Sequence, residues 1–237
     1  MLEQITLDQL WNFDDPAGSE TRFRAAAADD SYDADERAEL ATQLGRAIGL
    51  QGRYEEADAL LDSIDADEPT VAVRVLLERG RLLNSSGHAA MAVPLFEQAA
   101  ELADHLSEEF LAVDALHMLA IADSAHADSW TRSALEYAST VHDPRTKRWM
   151  VSLHNNLGWT LHEAGRFTEA LVEFQLAEQW AERVGTPRQQ EWAREAIAEC
   201  EHSLSASAAA SGPSAAPAAA APAVAAPAVA APGETID

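Results

Sequence analysis

Residues 157–170 read Leu157-Gly158-Trp159-Thr160-Leu161-His162-Glu163-Ala164-Gly165-Arg166-Phe167-Thr168-Glu169-Ala170. Two glycines stand seven residues apart, a small residue follows five later, and a large one, Phe174, four after that. The same frame occurs twice upstream, as Gly45, Gly52, Ala57 and Leu61 and as Gly80, Gly87, Ala92 and Phe96. Gly52-Arg53-Tyr54-Glu55-Glu56-Ala57 nearly restates residues 165–170. A frame of about 34 residues holding two helical stretches describes a helix, a tight turn and a second helix. Glycine at the turn supplies the left-handed residue that ends the first helix. The small residues let the two helices approach, and the large one fills the space between them. No such repeat buries its own apolar face, so repeats must stack.

The spacing resembles the tetratricopeptide repeat (TPR) family. Residues 151–184 carry it through Leu157, Gly158, Leu161, Gly165, Phe167, Ala170, Phe174 and Ala177. Residues 38–71 carry it through Leu44, Gly45, Gly52, Tyr54, Ala57, Leu61 and Pro69, and residues 73–106 through Leu76, Gly80, Gly87, Ala92, Phe96 and Ala99. Between them, 112–143 holds a degenerate repeat with Leu116, Leu119, Ala120, Leu135 and Ala138 but no turn glycine. The resemblance implies an all-α, right-handed helix-turn-helix solenoid of four TPR-like units. A C-terminal capping helix is expected from Pro187 to about Ser203, with Trp192, Ala193, Ala196, Ile197 and Cys200 at helical spacing.

Helix starts are marked independently. Thr186-Pro187 and Asp143-Pro144 each read as an N-cap followed by proline at the first helical position; Glu68-Pro69 opens its repeat less ideally, and Asp15-Pro16 opens an early helix. The helix opened by Asp15-Pro16 covers one end of the array, with Phe23 as its anchor. Pro94 falls inside the second helix of its repeat and predicts a late start or a kink. Three zones follow: an acidic lead with short covering helices (1–35), the array and capping helix (36–203), and a disordered Ala/Pro-rich tail (204–237) with prolines at 217, 222, 227 and 232. The tail is either an inert extension or a spacer that gives reach.

Charge narrows the partners. The chain has 16 Lys+Arg against 40 Asp+Glu, a formal net charge of −24. Phosphate backbones and anionic membrane surfaces would be repelled, so neither nucleic acid nor membrane is expected as a partner. A single cysteine and an N-terminus without a basic or apolar leader segment point to a cytoplasmic protein. The alanine excess and the arginine bias (Lys147 is the lone lysine) suggest a GC-rich bacterial genome.

No catalytic motif stands out: no phosphate-binding glycine loop, nucleophile elbow or His-Glu-x-x-His. A hydrolase built on His162 and Glu163 would lack a nucleophile oriented by a base. His154 and His162 lie about 12 Å apart along one helix, too far to share an ion. No enzyme activity, cofactor or metal is therefore expected, and Cys200 reads as a core residue of the capping helix.

The resemblance implies that the first helix of each repeat lines a concave groove for protein or extended peptide, making the chain an adaptor, scaffold or regulator. Inner-face positions are Glu39, Thr42, Arg46 and Gly49; Arg74, Leu77, Arg81 and Asn84; Asp114, His117, Ile121 and Ser124; and Ser152, Asn155, Trp159 and His162. The groove candidates are Arg46, Arg74, Arg81, Asn84, His117, Asn155, Trp159 and His162. Arginines would pair with carboxylates of an acidic peptide, asparagines with its backbone, and Trp159 with its apolar side chains. Alternatively, the arginines form ladders with Glu39, Glu78 or Asp114, and Trp159 packs against the capping helix. A sensor of a small peptide or metabolite is the second functional reading. The family's Lys/Asn clamp for chaperone tails is replaced by Thr42 and Arg46, so that ligand is not implied. The acidic terminus, residues 233–237, is a candidate occupant of the groove.

Overall fold

The computed structural model describes residue 2 and residues 4–210; the expectations for the 211–237 stretch, including its docking in the groove, lie outside the described residues. The described residues are mostly helical, without a strand, and form two compact units that divide after Val141.

The first unit contains α1 (Gln4–Leu10), α2 (Pro16–Ala27), α3 (Ala34–Gly49), α4 (Tyr54–Asp62), α5 (Pro69–Ser85), α6 (Ala89–His105), α7 (Glu109–Ala122) and α8 (Ala127–Thr140). Each helix from α2 onward packs on its neighbour in sequence, and α5 also touches α3 and α7. Two apolar clusters hold it together. One gathers Leu7, Phe23, Leu40, Leu44, Ile48, Ala57 and Leu61; the other gathers Val73, Leu77, Ala92, Phe96, Ala99, Leu111 and Leu119. Phe23, the expected anchor of α2, is fully buried. The second unit contains α9 (Pro144–Lys147), α10 (Trp149–Glu163), α11 (Phe167–Val184) and α12 (Pro187–Ala210), with α11 packed on both α10 and α12.

The glycine frame acquires a steric cause. A Cβ on Gly80 would lie 2.4 Å from the Phe96 ring, and one on Gly158 2.5 Å from the Phe174 ring. At Gly45 the corresponding contact is Leu61, at 3.0 Å. Each large residue therefore sits where the partner helix has no side chain, and burying each phenylalanine contributes about 2–3 kcal/mol. The turn glycines Gly52, Gly87 and Gly165 have φ of +77°, +87° and +73°. After Gly87 and Gly165 the next N–H reaches back to close the helix: His88 donates to the Leu83 carbonyl at 2.8 Å and Arg166 to that of Leu161 at 2.9 Å.

The α7–α8 connection, which lacks the glycine, is made by a 3₁₀ turn over Ser124–His126. Asp123 holds it, accepting from the Trp130 indole N–H at 3.0 Å and contacting the His126 ring at 2.9 Å. Ser107 closes α6 in the left-handed region, at φ +58°.

The helix starts fall where the caps are. The N–H of Gly18, Val71 and Thr146 donate to the side chains of Asp15, Glu68 and Asp143 at 2.9, 2.8 and 2.7 Å. Thr186 and Gln189 exchange bonds reciprocally, at 3.0 and 3.2 Å. Pro94 does not delay its helix: α6 begins at Ala89 and continues through it. Pro94 and Ala90, whose carbonyl loses its amide partner, are both exposed, so water can replace the missing bond. At the C-terminal end α12 runs to Ala210, past the expected stop near Ser203, through a Ser/Ala stretch with no helix breaker.

Candidate functional site

On the inner faces of α3, α5 and α7 the polar side chains form a charge ladder. Arg74 on α5 meets Glu39 on α3 at 2.9 Å, and both are almost fully buried. Arg81, two turns further along α5, donates to Glu78 at 2.8 Å and to both Asp114 oxygens on α7 at 2.6 Å. Three arginines, Arg46 included, thus stand among three carboxylates, and the face is close to neutral.

The ladder sets its own protonation. Burial works against charge on Arg81, but Asp114 and Glu78 outweigh it and raise the guanidinium's pKa. Burial alone would raise the Asp114 carboxyl; Arg81, with Arg46 behind it, holds it below the ordinary value instead. His117, one turn along α7, is only 3% exposed. Burial pushes its pKa down to about 4, Asp114 opposing and Arg81 adding to the shift, so it is neutral at pH 7.

A chain segment covers this face. The Leu2 N–H donates to the second Glu39 oxygen at 3.0 Å, and Gln4 on α1 accepts from Arg74 at 2.7 Å. The Trp11 indole N–H donates to Gln43 at 3.1 Å. Trp11 and Phe13 stack with centroids 4.5 Å apart, and the Arg46 guanidinium lies 5.5 and 5.1 Å from their centroids. Of the other inner-face positions here, Thr42 and Leu77 are buried, and Gly49 admits Leu82 where a Cβ would stand at 2.3 Å. Asn84 lies outside the ladder, in the last turn of α5, where its backbone carbonyl accepts from Gly87. Sequence reasoning reached Asp114 and Glu39 and expected short covering helices in the lead, but did not place Trp11 and Phe13, which belong to no repeat, against Arg46.

In the second unit the four inner-face positions of α10 behave differently. Ser152 and Asn155 are buried, and Ser152 Oγ and Asn155 Nδ2 have no hydrogen-bond partner among the described residues. Trp159 packs edge-on against Phe174 of α11, at 5.1 Å, and against His162 at 5.3 Å. His162 is held by the Phe167 ring and by Ser203 of α12, whose Oγ lies 2.9 Å from Nε2. His154, on another side of α10, meets Glu173 at 2.7 Å. Cys200 on α12 is fully buried, and its thiol donates to the Phe167 carbonyl at 3.2 Å. Burial, then the neighbouring Glu201, raises that thiol's pKa.

No protein-family model matches the chain, and no curated protein matches it in sequence. Among solved structures it is similar to BtubC (BKLC) from P. vanneervenii. The TM-score is 0.52, over 92% of this chain and 97% of that one, at 15% identity. Identity that low makes the likeness one of fold alone. No helix among the described residues is long and apolar enough to cross a membrane.

Proposed function

We propose that the chain is a TPR-like, non-enzymatic binding module, an adaptor, scaffold or regulator, whose first helices receive an extended segment of protein or peptide. The observation that carries this is the recurrence of one joint. Gly45–Leu61, Gly80–Phe96 and Gly158–Phe174 stand at equal spacing, each followed by a left-handed glycine seven residues after the first. That recurrence supports the reading of a right-handed helix-turn-helix solenoid of four units, three with the joint and α7–α8 as the degenerate one, and such arrays use the face of their first helices for binding. The step from fold to function is analogy.

The chemistry of those faces narrows the ligand. Arg74 and Arg81 are matched by Glu39, Glu78 and Asp114, so an acidic peptide would have to displace existing ion pairs. A ligand read through its backbone and apolar side chains suits the faces better, with Asn155 and Trp159 as contacts on α10.

Peptide display selection on the purified full chain tests the reading, with binders mapped by NMR shift changes. Enriched peptides should move the Trp159 indole N–H, the Asn155 side-chain amide or amides of α3, α5, α7 and α10. Failure to enrich any peptide, or shifts confined to the second helices α4, α6 and α11, would overturn it.

A further inference from the structure

The two helices ahead of the first repeat do different work. α2 covers an apolar end: Phe23 enters the cluster of Leu40, Leu44 and Ile48, which is what a solenoid terminus needs. The segment 2–13 puts one side chain, Leu7, fully into that cluster. Leu2, Leu10 and Trp11 pack partly against the same cluster, and the segment adds directional contacts to a polar row. A backbone N–H goes to Glu39, an amide oxygen to Arg74, an indole N–H to Gln43, and a stacked aromatic pair lies against Arg46. A cover that served only to keep water from apolar surface would not need hydrogen-bonding groups at each step. These are the interactions by which a groove reads a bound segment: one fully buried apolar anchor, three hydrogen bonds and an aromatic pair against a cation. α1 is seven residues long, too short to hold its own helical form without the surface beneath it.

We propose that the inner face of α3 and α5 is a binding site for an aromatic-bearing polypeptide segment and that residues 2–13 occupy it as an intramolecular ligand. A partner enters by displacing them. Its segment has the same chemistry: a short helix with a leucine anchor, an amide side chain one turn earlier, and two aromatic rings two residues apart after the helix. The inference rests on the peptide-binding reading above and adds the partner's chemistry and its self-competition.

The test uses the full chain and a fluorescent synthetic peptide of residues 2–13. In Trp11→Ala/Phe13→Ala the tethered segment is weakened and the peptide should bind at least about tenfold more tightly than to the unaltered chain. Adding Arg46→Ala should remove that gain. A folded double variant that binds no more tightly would overturn the proposal and leave the segment a structural cover. If the double variant does not fold, hydrogen exchange on the unaltered chain decides. Amides of α1 should open well before those of α3 and α5, and exchange of α1 only on global unfolding would overturn the proposal. Peptides from display that bind α3 and α5 equally with and without the Trp11/Phe13 change would remove the self-competition while leaving the peptide-binding reading standing.

Discussion

The α5–α6 hairpin of the first unit and the α10–α11 hairpin of the second share a joint and differ in the face above it. Glycine meets phenylalanine at 2.4 Å in one and 2.5 Å in the other, and the turn glycines differ by 14° in φ, +87° against +73°. Yet α5 carries Arg74, Glu78 and Arg81 in ion pairs, while α10 carries Ser152 and Asn155, whose Oγ and Nδ2 have no partner among the described residues, beside Trp159. The positions that fix how two helices pack are therefore separate from those that set the face. A repeat can change what it presents without changing its frame.

The largest expected effect breaks the difference between the faces. Arg81→Ala leaves Glu78 and Asp114 buried without the cation they hydrogen-bond and should cost about 3–5 kcal/mol in urea unfolding. Asn155→Leu on α10, where Nδ2 has no bond to lose, should cost under about 1 kcal/mol. Equal losses would mean that the faces are not energetically distinct.

Next comes the shared joint. Gly80→Ala and Gly158→Ala should each cost about 1–3 kcal/mol by overpacking. Phe96→Leu should recover part of the first loss and Phe174→Leu part of the second. A joint that tolerates alanine in one hairpin and not in the other would refute its equivalence.

The ladder on α5 and α7 should also make stability depend on pH. His117 titrates near 6.5 when unfolded and about 4 when folded, so the folded state binds fewer protons. Its contribution is complete above about pH 6.5 and is lost as pH falls toward 4. Between pH 7.5 and 5 the loss is about 2 kcal/mol. His117→Gln should flatten that part of the stability profile, measured by urea unfolding at several pH values. The smallest effect belongs to α10: Ser152→Ala removes a buried hydroxyl that has no partner among the described residues and should be neutral or stabilising by up to about 1 kcal/mol in thermal melts.

Packing was legible in the sequence because its cause is local. A glycine and a large residue sixteen apart face each other across any hairpin of this size, and Asp15, Glu68, Asp143 and Thr186 cap helices within three residues of themselves. Pro94 does not delay its helix because the exposed side of α6 leaves water to replace its lost bond. The site was less legible. Arg81–Asp114 and Arg74–Glu39 join residues 33 and 35 apart, so their pairing depends on the register between successive first helices. Residues 2–13 have no periodicity that says where they lie; their position comes from Leu7 in the apolar cluster and from hydrogen bonds to side chains more than thirty residues away. The 3₁₀ turn at Ser124–His126 shows how a repeat without its glycine can still close, through an aspartate that accepts from Trp130 and His126.

Cys200 gives the second unit a clock. It is the only thiol in the chain, it is fully buried, and its hydrogen bond to the Phe167 carbonyl ties α12 to the first residue of α11. A thiol reagent can reach it only while α12 is lifted away, so the labelling rate of the unmodified protein measures how often that helix leaves its seat. A ligand that clamps α12 will slow the reaction, and one that prises it off will speed it, with no engineered probe in the chain.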